Sequence, residues 1–95
     1  MKSFQPIIPP HVAEVIRSLH PDLKRPIKEA IRATASDPEC GEPLRRALDG
    51  LWKFRVRRFR IVYAINRTTC TIRLMAVGHR RHIYEEVAAQ AQKMS

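Results

Sequence analysis

Side chains suited to phosphate chemistry are concentrated in one part of the chain. Lys53 and Arg55 alternate with apolar residues in one β-like segment, Arg60 lies in the next, and Arg80 and Tyr84 follow a third. The cations can stabilise charge on phosphoryl oxygens. Free Lys and Tyr have pKa values of ~10.4 and ~10, and neighbouring positive charges favour their deprotonated forms. These residue types therefore indicate charge stabilisation combined with proton transfer.

The same part of the chain is strongly basic. Gly50 to Tyr84 contains nine Lys or Arg and no Asp or Glu, whereas the rest has nine basic and nine acidic residues. The formal charge of +9 thus comes from about a third of the sequence. Such a surface is expected to bind a polyanion, because phosphate neutralisation releases counterions. Since the segment has no carboxylate pair for a divalent cation, we expect metal-independent chemistry and no cofactor.

RNA is a polyanion that these groups could cleave without a metal ion. Its 2′-hydroxyl can attack the adjacent phosphorus in line if the protein orients the backbone, withdraws a proton and protonates the departing 5′-oxygen. His79 and His82 are alternative proton carriers, because histidine titrates near neutrality. We expect the further RNA-binding residues to be Arg57, Arg58, His79 and Arg81.

Length and composition indicate a single domain over residues 1–95. The chain is 44% hydrophobic with only three glycines, so it can form a core. No segment has the ~20 apolar residues of a membrane span, and the N-terminus does not resemble a signal peptide, so we expect a cytoplasmic protein. Cys40 and Cys70 lack the spacing of a zinc site and are interpreted as ordinary thiols.

Two amphipathic helices are predicted before the basic segment. A short strand from Phe4 to Ile8 ends at Pro9-Pro10, and a second break at His20-Pro21 separates the helices. Pro26 fits the second helix only if it lies within the first turn. The apolar stripes consist of Val12, Val15, Ile16 and Leu19 in the first helix and of Leu23, Ile27, Ala30 and Ile31 in the second.

From Trp52 onwards the apolar period changes to two, which predicts strands. They run from Trp52 to Val56, from Phe59 to Ile65 and from Thr71 to Val77. The first two would join through two residues at Arg57-Arg58, with a longer or bulged turn as the alternative because no Gly, Asn or Asp is present. Residues 36–43 are predicted as a loop, and residues 83–93 as a short helix or a frayed tail.

These elements predict an α+β fold. An N-terminal helical hairpin would pack on a small, mainly antiparallel twisted sheet, followed by a short C-terminal helix. Strand alternation then places Lys53, Arg55 and Arg60 on the face opposite the hairpin. His79, Arg80 and Tyr84 follow the third strand and are expected near the same end of the sheet. The predicted site is an acid-free cationic pocket.

In these stretches the chain resembles the RelE/ParE toxin superfamily, and its RelE-like branch in particular. The likeness lies in LDGLWKFRV (residues 48–56), FRIVY (59–63), AVGHRR (76–81) and IY (83–84), preceded by two helices. It implies an endoribonuclease toxin that cuts messenger RNA in the ribosomal A site. By motif, the catalytic set would be Lys53, Arg55, Arg60, Arg80 and Tyr84.

The resemblance also implies how these residues act and what they bind. Proton transfer would occur in the Lys53 and Arg55 region and at Tyr84, with Arg60 and Arg80 stabilising the phosphate. Arg55 stands where some relatives have Lys, and an always-protonated Arg suits charge stabilisation better than base work. The implied partners are messenger RNA, the ribosome and an acidic RelB-like antitoxin, with a toxin–antitoxin heterotetramer as one assembly.

Two other functions remain open from the sequence. ParE-like relatives share the fold and poison DNA gyrase without needing this nuclease set, so the fold alone does not decide the activity. A basic adaptor that binds nucleic acid without toxicity is the third possibility. The presence of Lys53, Arg60, Arg80 and Tyr84 together favours the nuclease.

Overall fold

The computed structural model describes the backbone of residues 3–94 and the side chains of residues 3–90. The elements in chain order are β1 (Gln5–Ile7), α1 (Pro10–Ser18), α2 (Pro21–Ser36), β2 (Glu42–Pro43), β3 (Leu51–Val56), β4 (Phe59–Asn66), β5 (Thr71–His79) and α3 (Ile83–Met94), with 3-10 turns at Pro38–Cys40 and Arg46–Leu48. Within these residues five strands form a sheet in the order β1-β5-β4-β3-β2. β1 pairs with β5 in parallel and the other pairs are antiparallel, which confirms the predicted α+β fold.

The main core lies between the helical hairpin and one face of the sheet. Its buried residues include Val12, Ile16, Ile27 and Ile31 from the helices and Ile61, Tyr63, Ile72 and Leu74 from the strands. The predicted stripes are therefore largely buried. Val15 is an exception at 40% exposure, because it lies at the edge of the α1 stripe. Among the described residues, none of the helices combines the length and the hydropathy that a membrane-spanning helix requires.

Pro26 lies deeper in α2 than the sequence predicted. The helix begins at Pro21, so Pro26 is in its second turn. A proline has no N–H, and the carbonyl of Asp22, four residues earlier, consequently lacks its usual helical partner. The guanidinium of Arg57 donates to this carbonyl at 3.4 Å. Arg57 lies in the hairpin turn between β3 and β4, so a residue of that turn compensates for the missing helical bond.

The connection between β3 and β4 has two residues, as predicted. Val56 pairs with Phe59, and Arg57 between them has a φ of 58°. A left-handed conformation costs a non-glycine residue roughly 1–2 kcal/mol. The turn carries this cost because no Gly, Asn or Asp is present at these two positions. Because the connection has only two residues, the alternative of a longer or bulged turn is wrong. The sheet has an irregularity elsewhere, opposite Val62 and Tyr63 of β4, where the pairing with β5 shifts by one residue.

The segment predicted as a loop contains the edge strand β2, which corrects the prediction. Pro43 can occupy this edge because an outer strand has no need of its missing N–H. A Cβ on Gly41 would collide with the carbonyl oxygen of Lys53 and the hydroxyl of Tyr63. Glycine therefore permits the close approach that brings β2 against β3.

The C-terminal segment is helical and packs on the second face of the sheet. Ile83 and Val87 of α3 are buried against Val62 and Ala76 in a separate apolar cluster. Gly78 leaves room for this helix, since a Cβ there would lie 3.2 Å from the Cδ1 of Ile83. The sequence predicted this helix as one of two alternatives but gave no indication of a second core beside the cations.

Candidate functional site

Three of the predicted site residues share the sheet face opposite α1 and α2. Their strand neighbours pack into the main core, so alternation directs Lys53, Arg55 and Arg60 to the other side. Arg55 pairs with Arg60, and Arg60 pairs with Gly78 on the next strand. Together with Tyr84 we call this surface the cationic sheet face.

Tyr84 reaches the cationic sheet face from the first turn of α3. Its ring centroid lies 5.9 Å from the Nζ of Lys53, within the range of a cation–π contact. The preceding residue, Ile83, is fully buried and fixes the start of the helix. The structure thus brings together the ammonium and the phenol that were predicted to transfer protons.

A carboxylate lies among these cations, so the prediction of an acid-free pocket is wrong. Glu42 is the register partner of Lys53 across the β2–β3 pair. Its two carboxylate oxygens lie 3.6 Å from the Nε of Arg55 and 4.0 Å from the Nζ of Lys53. Glu42 precedes the basic segment in sequence, and only the short strand β2 places it here.

Arg60 is held at the hairpin end of the face by backbone carbonyls. Its Nη1 donates to the carbonyl of Phe59 at 2.8 Å and to that of Arg57 at 3.0 Å. A guanidinium has five N–H donors, so these bonds fix the group and still leave donors for a phosphate. The arrangement suits charge stabilisation at a defined position.

The arginines that follow β5 lie near the same end of the sheet. The backbone N–H of Arg80 donates to the carbonyl of Arg58 at 2.8 Å, which joins the turn after β5 to the β3–β4 turn. Arg58, Arg80 and Arg81 are all exposed. Their charges are therefore available at the rim of the cationic sheet face.

His79 does not project from the cationic sheet face. It pairs with Phe59, and their rings meet edge to face with centroids 5.9 Å apart. Phe59 packs against the main core, so the imidazole lies on the α1–α2 side of the sheet. Desolvation and the charges of Arg81, Arg80, His82 and Arg58 lower the pKa of His79 from its usual 6.5.

Arg57 is also directed away from the cationic sheet face. Its bond to the carbonyl of Asp22 points the guanidinium towards the start of α2. Of the four residues predicted to bind RNA around the catalytic set, Arg58 and Arg81 therefore lie at the rim of the face, while Arg57 and His79 lie beyond it.

A buried tyrosine supports the site from behind. Tyr63 is fully buried and donates its hydroxyl to the carbonyl of Pro38 at 2.7 Å, just before Gly41 and β2. Burial is the main reason that the pKa of Tyr63 is raised to about 12. The phenol stays protonated at neutral pH and acts as a structural donor.

Among the described residues, no group of three or more His, Cys, Asp or Glu could hold a metal ion.

Comparison with known proteins identifies the family. A family model described as the ParE toxin of type II toxin-antitoxin systems, parDE, matches residues 13–84. The fold is similar to that in the RelBE2 toxin–antitoxin complex of Mycobacterium tuberculosis, with 24% identity, 84% of this chain and 94% of that chain covered, and a TM-score of 0.76. No curated protein matches the sequence.

Two further solved structures have the same fold. A free RelE toxin variant of Escherichia coli is 20% identical, with 97% of each chain covered and a TM-score of 0.76. A YoeB/ParE toxin of Agrobacterium tumefaciens is 18% identical, with 80% of this chain and 98% of that chain covered and a TM-score of 0.68. The chain belongs to the family of ParE toxins of type II toxin–antitoxin systems, which confirms the predicted RelE/ParE superfamily.

Proposed function

We propose that this toxin is a ribosome-dependent endoribonuclease that cleaves messenger RNA in the A site, in the cytoplasm. The observation that carries the proposal is the convergence of Lys53, Arg55, Arg60 and Tyr84 on one face of the sheet. A gyrase inhibitor that performs no chemistry of its own has no need of a phenol and an ammonium held together beside fixed guanidinium groups.

The proposed reaction moves two protons and exchanges one bond at phosphorus. The 2′-hydroxyl attacks the adjacent phosphorus, the bond to the 5′-oxygen breaks, and the products are a 2′,3′-cyclic phosphate and a free 5′-hydroxyl. Lys53 and Tyr84 are the groups positioned to accept and to return a proton. Arg60 and Arg80 stabilise the charge that builds on the phosphoryl oxygens, and Arg55 adds a permanent positive charge.

An exposed arginine gives the cleanest test of the proposal. Arg80→Ala removes a side chain that lies in solvent, so the fold should persist, and Arg45→Ala is the matched exposed control. We expect Arg80→Ala to abolish growth arrest and the cut ends in transcripts after induction, whereas Arg45→Ala retains both. Purified ribosomes should be required for cleavage in vitro. Growth arrest that persists in Arg80→Ala would reject the proposal.

A DNA gyrase inhibitor is the second candidate, favoured by the description of the matching family model. Induction would then cause DNA damage and leave transcripts intact. Sequencing of transcript ends and a DNA-damage reporter in the same culture separate the two activities. A damage response with no new transcript ends would select the gyrase inhibitor.

We also propose an acidic, RelB-like antitoxin as the partner that silences the toxin. A net charge of +9 favours an acidic partner. A groove of about 260 Å³ combines apolar side chains with cations and is lined by Ile8, Ala13, Ile16, Arg17, Lys24 and Lys28. An acidic amphipathic segment would match both kinds of side chain. Copurification with the product of an adjacent short acidic reading frame tests this partner, and failure of that product to relieve toxicity would contradict it.

A further inference from the structure

A second basic surface lies on the outer side of α2. Arg25, Lys28 and Arg32 are exposed and follow one another at intervals of three and four residues, so they lie along one side of the helix. With a rise of ~1.5 Å per residue, the row extends ~10 Å along the helix axis. We call these three residues the α2 basic row.

The cations of the α2 basic row form no ion pair with a carboxylate of the described residues. The ion pairs among the described residues involve Arg17, His20, Lys53, Arg55 and Arg67, and none involves the row. A polar groove of about 500 Å³ borders it and is lined by Pro21, Lys24, Arg25, Lys28, Glu29 and Arg32. The row therefore presents positive charge with one acidic neighbour in the groove, Glu29.

The row continues towards the hairpin turn. A second groove of about 500 Å³ joins Arg25 to Arg57 and is also lined by Pro21, Asp22 and Pro26. Arg57 is followed by Arg58 and, after Phe59, by Arg60, where the cationic sheet face begins. Because α2 packs on the opposite side of the sheet, the basic surface extends around the hairpin turn and connects two sides of the molecule.

We propose that the α2 basic row is a second RNA-binding surface, which contacts the phosphate backbone of double-helical RNA while the cationic sheet face acts on a single strand. The inference deepens the proposed function and rests on it in one respect, namely that the toxin works on a particle rich in RNA helices. A row that offers only positive charge suits a duplex, because double-stranded RNA is recognised mostly through its shape and its phosphates.

The side chains of the row favour duplex RNA over the other anionic partners. Single-stranded RNA is bound through aromatic stacking platforms, and α2 has no aromatic residue. Protein interfaces are centred on large apolar or aromatic residues. The exposed large hydrophobic residues among the described side chains are Ile7, Ile8 and Val15, and none of them belongs to α2. The groove assigned above to the antitoxin includes Lys28 of the row, whereas Arg25 and Arg32 are not part of its lining.

A charge-matched pair of variants tests this surface. Arg25→Gln/Arg32→Gln removes two charges from the row. Arg67→Gln/Arg73→Gln removes two from exposed arginines in the β4–β5 turn and the first half of β5, so both variants lower the formal charge equally. Binding of each to a short blunt RNA duplex is measured against salt concentration. At a slope change of ~0.7–0.9 per lost phosphate contact, the row variant should flatten the log–log dependence by about 1.5 and bind roughly tenfold more weakly at low salt.

The outcomes separate this inference from the proposed function, because duplex binding requires no cleavage. Equal losses in the two variants would overturn the inference, since net charge alone would then explain binding. An acidic peptide that loses affinity for the row variant as steeply as the duplex does would also overturn it and assign the row to a protein. If duplex binding follows the row while the native protein cuts no transcript, the inference stands and the nuclease proposal fails.

Discussion

The cationic sheet face and the α2 basic row are both strongly basic, but their cations have different surroundings. On the sheet face, Lys53 lies near Glu42 and Tyr84, and Arg60 is tied to two backbone carbonyls. Among the residues that the structure describes, none pairs a carboxylate with a cation of the α2 basic row. Chemistry requires groups held in a fixed geometry, whereas backbone binding requires only positive charge that can adapt. The comparison supports the proposal that the cationic sheet face performs the chemistry and the α2 basic row binds the RNA backbone.

The removal of one lysine from each surface should give the largest difference in cleavage rate between the two surfaces. We expect Lys53→Ala to slow cleavage of ribosome-bound messenger RNA by about 10²-fold or more, the usual scale for loss of a proton-transfer group. Lys28→Ala should change the single-turnover rate at saturating ribosomes less than about threefold. Similar losses in the rate of the chemical step would show that the two surfaces do not differ as proposed.

Gly41→Ala should disturb the cationic sheet face indirectly, by displacing strand β2. The added Cβ would collide with the carbonyl of Lys53 and the hydroxyl of Tyr63, so β2 must shift. Overpacking of this kind typically lowers the free energy of unfolding by about 1–3 kcal/mol. Denaturant unfolding measures the loss, and amide NMR shifts should change at Lys53 but not in α2.

Gly50→Ala is the matched control for that substitution. Gly50 has a φ of 94° and no atom within 4 Å of an added Cβ, so its cost comes from backbone strain alone. We expect this variant to leave the amide shifts of Lys53 and Glu42 unchanged. If Gly41→Ala proves as mild for the sheet face as Gly50→Ala, the close approach of β2 does not position Lys53.

Glu42→Gln tests how the carboxylate near Lys53 and Arg55 affects RNA binding by the cationic sheet face. Loss of this carboxylate frees Lys53 and Arg55 for phosphate, and we expect single-stranded RNA to bind severalfold more tightly with a salt dependence steeper by about one. Glu39→Gln makes the same change in net charge beside Arg67, at a distant ion pair. Equal gains in the two variants would mean that net charge is responsible.

Local patterns of residues were sufficient to predict the frame of the molecule. Alternation across Trp52 to Val56 predicted both the strand and the shared face of Lys53 and Arg55, because side-chain direction in a strand follows from position alone. The helical stripes succeeded for the same reason, with Val15 at the edge of its stripe. The choice of the predicted catalytic set also depended on the resemblance to a known superfamily.

The parts that could not be predicted depend on distant pairing. β2 has two residues and hence no period, so nothing local places Glu42 beside Lys53. The irregularity between β4 and β5 leaves Met75 unpaired, since Val62 pairs with Ala76 and Tyr63 with Leu74. A shift of one residue exchanges the faces of a strand. The side chains after Met75 therefore point to the opposite face from the one that uninterrupted alternation would give them. His79 consequently lies on the α1–α2 side of the sheet.

His79 offers the smallest and most local test, at the point where the two surfaces meet. Because desolvation and the nearby arginines lower the pKa of His79, the imidazole should titrate below 6.5 and be neutral at pH 7. The unfolded chain binds this proton more readily, so the contribution of His79 to stability should decrease as the pH falls below about 6.5. NMR titration of the ring measures the shift, and Arg81→Gln should move the pKa upwards. A His79 pKa at or above the ordinary value would show that the guanidinium groups after β5 do not gather around the hairpin turn, and the continuous basic path from Arg57 to Arg80 would lose its support.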